Sequence, residues 1–133
     1  MINVENRVLT NVKTYISDVC QTVQNDSAKS PASFPAVSVD QIDNPDTAVD
    51  LENAENAVVS MIEIQSFSNK NITEAKTIIN KACDGMRIMG YVRQYGPKRV
   101  QNAADTNIFR IVARFRRIVS SVYEIEKFET KGA

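Results

Sequence analysis

The stretch with the densest set of reactive side chains lies near the end of the chain, at residues 107–118, Asn-Ile-Phe-Arg-Ile-Val-Ala-Arg-Phe-Arg-Arg-Ile. Read with a period of two, it separates an apolar side from an arginine-rich side. The apolar side consists of Phe109, Ile111, Ala113 and Phe115. The other side carries Arg110, Arg114 and Arg116, with Val112 among them. Because successive side chains of a strand point to opposite faces, this pattern predicts a half-buried β-strand with a cationic outer face.

Three further bases, Arg93, Lys98 and Arg99, precede this strand and extend the candidate binding surface. Phosphate contacts dominate nucleic-acid affinity, so DNA binding is one interpretation of the surface. Against it, the net charge is zero with a pI near 6.3, and Phe109 and Phe115 fall on the core side, where they cannot stack on bases. We therefore favour a subunit interface, or a solvated face paired with acids.

The residue types that catalysis needs are poorly represented. Histidine is absent, which removes the commonest general base and metal ligand, and the four glycines match no phosphate-loop spacing. Cys20 and Cys83 fall on or beside apolar helical stripes and are expected to be buried free thiols. Four spaced acids lack the ligand pattern and central glycine of a calcium loop: Asp40, Asp43, Asp46 and Asp50. We expect no enzyme activity, cofactor or metal.

The charge of the chain is divided between its two halves. Residues 1–56 hold nine acids and three bases, a charge of −6, and residues 57–133 carry +6. One interpretation is mutual neutralisation inside one fold, and the other is head-to-tail association of copies. For the second, the candidate acidic patch is Asp43, Asp46, Asp50, Glu52 and Glu55. The candidate basic patch is drawn from Arg93, Lys98, Arg99, Arg110, Arg114 and Arg116.

Hydrophobic periodicity predicts the elements that carry these patches. In chain order they are a helix over 1–24 (its apolar stripe within 3–24), a strand over 34–42, an acidic solvated loop over 43–56, a strand over 57–67, a helix over 69–90, a short strand over 91–95, a polar connection over 98–106, the strand over 107–118 and a C-terminal extension over 120–133. A single α+β domain over 1–133 follows, with a mainly antiparallel sheet of about four strands and two helices packed on one face.

Local signals refine the second helix and its neighbouring strand. Asn71 followed by Glu74 resembles a capping box, and Gly90 is the expected C-cap. Gly85, inside the helix, costs about 1 kcal/mol relative to alanine, which a close helix–sheet approach would explain. Glu63 is expected to lie across from one of the arginines of the last strand.

Several segments, taken in order, carry a resemblance to a known family. They are Phe34-Pro-Ala-Val-Ser-Val39, Gln41-Ile-Asp-Asn44, Glu55-Asn-Ala-Val58 leading into Ile62-Glu-Ile-Gln-Ser-Phe-Ser-Asn69, Thr73-Glu-Ala-Lys76, Met86-Arg-Ile-Met-Gly-Tyr91 and Asn107-Ile-Phe-Arg-Ile-Val-Ala-Arg-Phe115. Together they resemble the tail terminator family of long-tailed bacteriophages, whose members are also called tail completion, head–tail joining or minor capsid proteins. The resemblance runs over residues 34–119, about two-thirds of the chain.

The resemblance implies a small α+β subunit that forms a ring, expected to be a hexamer, on the finished tail tube. Such a ring ends tube polymerisation and joins the tail to the head connector at the tail–head junction, after assembly in the bacterial cytoplasm. The expected partners are further copies of the chain, the tail tube protein and the connector or neck protein. DNA would pass through the ring without specific binding, and no membrane is involved. The alternatives are a neck or head-completion protein of the same virion and a small nucleic-acid-binding assembly module.

Overall fold

The structure is a computed structural model, and it describes residues 3–25, 33–49, 55–101 and 108–120. Its elements are α1 (Glu5–Tyr15), β1 (Thr22–Gln24), β2 (Ala36–Asp43), β3 (Asp46–Val49), β4 (Glu55–Ser68), α2 (Ile72–Ile88), β5 (Val92–Gln101) and β6 (Phe109–Val119). In these ranges the strands form one six-stranded sheet in the order β1-β2-β4-β6-β5, with β3 also paired to β4. The α+β prediction is confirmed, although the sheet has six strands and its β1–β2 pair is parallel.

Both helices pack on one face of the sheet, here called the helix-side face, and the opposite face is called the outer face. Strand alternation sends Ile111, Ala113 and Phe115 of β6 to the helix side, together with Ile62 and Ile64 of β4. These residues form one buried cluster with the apolar stripes of the helices, which include Val8, Val12, Ile79 and Met86. Burial of this apolar surface is the main force that holds the helices on the sheet.

Three serines of β4 attach the sheet to α2 and the turn that follows it. Ser66 Oγ donates to the Ala75 carbonyl at 2.9 Å, and Ser68 Oγ donates to Glu74 Oε1 at 2.7 Å. Ser60 Oγ and the Tyr91 hydroxyl lie 2.7 Å apart in the interior. Burial raises the pKa of the Tyr91 phenol above its usual value. Because buried hydroxyls need partners, these bonds fix the position of α2 along β4.

The N-terminal helix is shorter than its apolar stripe predicts. α1 ends at Tyr15, and the backbone N–H groups of Val19 and Cys20 both donate to the Ile16 carbonyl in a closing turn. The prediction of a helix over 1–24 is therefore wrong beyond Tyr15, because the next apolar positions include β1, which pairs in parallel with β2. The N-cap of α1 is Val4, which makes no side-chain cap bond, and one residue earlier Asn3 Oδ1 accepts from the Glu5 N–H at 3.0 Å.

The predicted acidic loop is partly strand. β2 and β3 both pair antiparallel with β4, and between them the Val59 N–H donates to the Pro45 carbonyl at 2.8 Å. The loop prediction over 43–56 is wrong for Asp46–Val49 and for the start of β4 at Glu55, while residues 50–54 lie outside the described ranges. Aspartates are poor strand formers in general, but β3 pairs with β4 alone among the described strands, and acids are tolerated on such an edge. The predicted extension over 120–133 lies outside the described residues apart from Ser120.

The ends of α2 follow the sequence signals. Asn71 Oδ1 accepts from the Glu74 N–H at 2.7 Å, which confirms the cap. Gly90, with φ of +85°, ends the helix in a Schellman motif, since its own N–H donates to the Arg87 carbonyl and the Tyr91 N–H donates to the Met86 carbonyl. The return bond of a capping box is replaced, because the Asn71 N–H donates to Ser68 Oγ at 3.4 Å and the Glu74 carboxylate accepts from Ser68 Oγ.

Two glycines mark close approaches. A side chain at Gly85 would lie 3.1 Å from Cδ2 of Tyr15, so the expected close approach at this position is to α1 and not to the sheet. Gly96, with φ of +73°, lies in an irregular part of β5 where the register to β6 shifts. The strand continues past Gly96-Pro97 to Gln101, so the predicted strand end at 95 and the connection over 98–106 are wrong for residues 96–101.

Candidate interaction surface

The arginines of β6 lie on the outer face in the order that a period of two predicts. The register with the neighbouring strands places Arg114 between Glu63 of β4 and Tyr95 of β5. Arg116 lies between Met61 and Val92 in the next row. The outer face of β4, β6 and β5 is therefore a mixed surface, in which cations alternate with apolar and aromatic side chains.

Two of these arginines are bonded within the chain. Arg114 Nε contacts Glu63 Oε2 at 2.7 Å, which confirms the expected cross-strand pair, and Gln65 Nε2 donates to Glu63 Oε1 at 2.6 Å. Gln65 Oε1 in turn accepts from Arg110 Nε at 2.5 Å. Gln65 is only 2% exposed, so this chain of bonds satisfies a buried amide as well as the charges.

Tyr95 adds an aromatic element that the sequence pattern did not single out. The Arg114 guanidinium carbon lies 5.2 Å from the centre of the Tyr95 ring, and Lys98 Nζ lies 6.0 Å from the same centre. Both distances are within the range of cation–π attraction. Tyr95 thus holds two cations over an exposed part of the outer face.

The predicted basic patch is divided between the two faces. Arg93 is opposite Phe115 and Arg99 is opposite Ile111, which places both on the helix side. The Arg99 guanidinium carbon lies 5.3 Å from the centre of the Phe109 ring. Burial raises the pKa of the Cys83 thiol, and the nearby positive charge of Arg93 opposes that rise. The outer face therefore keeps four of the six predicted cations, namely Lys98, Arg110, Arg114 and Arg116.

The acidic candidates that the structure describes belong to β2 and to the β3–β4 pair, away from the β5 edge of the sheet. Asp43 is exposed at the end of β2, opposite Met61 on the outer face. Asp46 and Glu55 belong to the backbone of the β3–β4 pair, and Asp50 and Glu52 lie outside the described residues. β4 and β6 separate β2 from the bases of β5, and β4 alone separates Asp43 from Arg116 of β6 on the same face.

The Glu63 network makes a stability prediction. Replacing Glu63 by alanine should lower the free energy of unfolding by about 1–3 kcal/mol, because the buried Gln65 amide loses its acceptor. Arg114→Ala should cost less than about 1 kcal/mol, because the Arg114 side chain is 51% exposed and its pair with Glu63 is partly solvated. Urea unfolding of both variants tests this asymmetry, and equal losses would show that the bond between Gln65 and Glu63 contributes nothing.

The remaining described features do not form a second site. Cys20 and Cys83 are free and buried, as expected. In the ranges that the structure describes, no cluster of three or more Cys, His, Asp or Glu side chains is placed to hold a metal ion. No helix in those ranges is long and apolar enough to cross a membrane. An open groove of about 350 Å³ lies between Val19 and the first turns of α2, lined by Lys70, Glu74 and Thr77.

Comparison with known proteins gives few matches. No protein-family model and no curated protein sequence matches this chain. Among solved structures, the chain is similar to one described as "Structure of bacteriophage SPP1 gp17 protein", with 13% sequence identity and a TM-score of 0.48. The match covers 89% of this chain and 91% of that chain. Similarity at this level assigns no function to the present chain.

Proposed function

We propose that this protein is a structural component of a bacteriophage virion, a tail terminator that forms a ring on the tail tube. The ring ends tube polymerisation and joins the tail to the head connector. The observation that supports the proposal most is that the segments resembling the tail terminator family fall in elements that pack on each other. These segments lie in β2, β4, α2 with its C-terminal turn, and β6.

The charge layout of the sheet supports a ring. β5 is one edge of the sheet and carries Arg93, Lys98 and Arg99 without an acid. On the far side, β2 carries Asp40 and Asp43 without a base. A ring of identical subunits uses two different patches on each copy, and patches of opposite sign guide that pairing.

The proposed partners follow from this role. They are further copies of the chain, six in a closed ring, the tail tube protein on one side and the connector or neck protein on the other. The site is the tail–head junction of the virion, assembled in the host cytoplasm. In this proposal the protein is not an enzyme and needs no cofactor, and DNA passes through the ring without specific contacts.

Tube growth in the presence of the purified protein tests the proposal. Tail tube protein of the same phage is polymerised with and without this chain, and the protein is expected to stop elongation so that tubes stay short. A variant with a damaged core, Phe115→Ala, serves as the inactive control. Tubes of unchanged length, with the protein bound to connectors alone, would favour a neck protein. Binding to DNA with a steep salt dependence would favour the nucleic-acid-binding alternative.

A further inference from the structure

The outer face carries an exposed apolar patch next to its arginines. Val92 is 65% exposed, Ile118 is 56% exposed and Tyr95 is 37% exposed. Val92 lies directly opposite Arg116, and Ile118 follows two residues later on the same face of β6. We call this set, Val92, Tyr95, Arg114, Arg116 and Ile118, the β5–β6 patch. Large apolar side chains that are grouped with cations in this way are typical of interaction surfaces.

A further exposed apolar residue, Ile42, lies beside acids toward the opposite edge of the sheet. Ile42 is 48% exposed and is the additional residue at the register shift between Gln41 and Asp43. Asp43 beside it is exposed on the outer face, and Asp40 precedes it on β2. Bulges of this kind turn a side chain away from the regular ladder. We call Asp40, Ile42 and Asp43 the β2 bend.

The two surfaces lie toward opposite edges of the sheet. Asp43, Met61, Arg116 and Val92 form one row across β2, β4, β6 and β5. Three inter-strand spacings separate the ends of this row, a distance of about 14 Å. The acidic apolar bend and the basic apolar patch therefore share the outer face but lie toward opposite edges of it, where separate neighbouring copies can contact each of them.

We infer that the β2 bend of one copy docks on the β5–β6 patch of the next copy. Ile42 packs against Val92 and Ile118 of the partner copy, and Asp43 faces Arg116. The apolar contact supplies adhesion, and the charges set orientation and association rate. A second copy fits better than an unrelated partner, because each surface has the opposite charge of the other and the same apolar character. This contact makes the proposed function more specific, and it rests on that function for the closure of the copies into a ring.

Two assembly variants and one matched control test the contact. The patch variant is Val92→Asn with Ile118→Asn, and the bend variant is Ile42→Arg with Asp43→Arg. Ile88→Asp is the control, because Ile88 is 50% exposed at the end of α2 and outside both surfaces. Sedimentation should show association weakened at least tenfold in each assembly variant, about the loss of one strong contact, and unchanged in the control. Circular dichroism confirms folding, and Arg116→Ala replaces the patch variant if that protein fails to fold.

Mixing the two assembly variants gives the sharper result. The patch variant keeps its bend and the bend variant keeps its patch, so the mixture should form a one-to-one dimer that cannot grow further. The inference would be overturned by a mixture that stays monomeric or by variants that assemble like wild type. A wild-type protein that is monomeric at about 1 mM, a concentration at which even weak contacts associate, would also overturn it. If the wild-type protein caps tubes and the two assembly variants associate as well as wild type, the proposed function stands and only this contact is ruled out.

Discussion

Replacing Phe115 by alanine is expected to lower the free energy of unfolding by about 3–5 kcal/mol, a large share of the stability of a small domain. Phe115 is 2% exposed and lies on the helix-side face of β6, directly opposite Ile62 of β4. It belongs to the buried cluster that joins both helices to the sheet. Truncation removes buried apolar surface and leaves a cavity that the surrounding strands can fill only in part. Urea unfolding measures the loss.

Ile118→Ala is the matched control for this prediction. Ile118 is on the same strand but on the outer face, and 56% of it is exposed. Its truncation should cost less than about 1 kcal/mol, because the burial energy scales with the area removed from water. Similar unfolding curves for Phe115→Ala and wild type would contradict the assignment of the two faces of β6.

Replacing Gly96 by alanine is expected to cost at least about 2 kcal/mol and to disturb β5. The φ of Gly96 is +73°, a conformation that residues with a Cβ seldom adopt. A Cβ at this position would also overlap the Val112 carbonyl oxygen of β6 and lie 2.9 Å from the Lys98 nitrogen. Both neighbours are backbone atoms in a paired strand region, so the strand itself would have to move.

Gly90→Ala separates the effect of φ from that of the steric overlap. Gly90 has a φ of +85°, but its nearest neighbour is Nε of Arg117 at 3.0 Å, in a side chain that can rotate away. The loss should therefore be about 1–2 kcal/mol, from the backbone conformation alone. Thermal unfolding of the two variants compares them, and a Gly96→Ala protein as stable as Gly90→Ala would contradict the close packing of β5 on β6.

The sequence pattern predicted the last strand and its two faces well. Apolar residues occupy every second position from Phe109 to Phe115, with Val112 the one apolar residue between them, and burial of one face leaves only one register that hides Phe115 and Ile111. The pairing of Glu63 with an arginine followed from the same alternation. The caps of α2 were also predictable, because Asn71 and Gly90 act through bonds to residues three or four positions away.

The edge strands were harder to predict, for physical reasons. Valines that continue a helical stripe also suit a strand. The spacing of Val19 and Val23 therefore did not indicate where α1 ends and β1 begins. β3 is specified by its pairing with β4, a contact between segments that local propensity does not describe. In β5 the Gly96-Pro97 pair is a signal for a chain turn, and here it forms an irregularity inside a longer strand.

The sequence predicted the part of the candidate surface on β6 but not the part on β5. The register shifts around Gly96 change which residues of β5 share a face, so the sequence could not show that Arg93 and Arg99 lie apart from Lys98. The position of Tyr95 beside Arg114 was not predicted for the same reason. Ile118 carried a usable signal, because it continues the spacing of Arg114 and Arg116 and therefore falls on the outer face.

Electron microscopy of the ends of tail tubes grown with this protein tests the central claim most directly. A ring of six copies is expected on one end of each tube, and tubes without a ring should be rare when the protein is in excess. The same ring should be missing from tubes mixed with the patch variant. Tubes whose two ends are both bare, or protein distributed along the tube wall, would contradict the account.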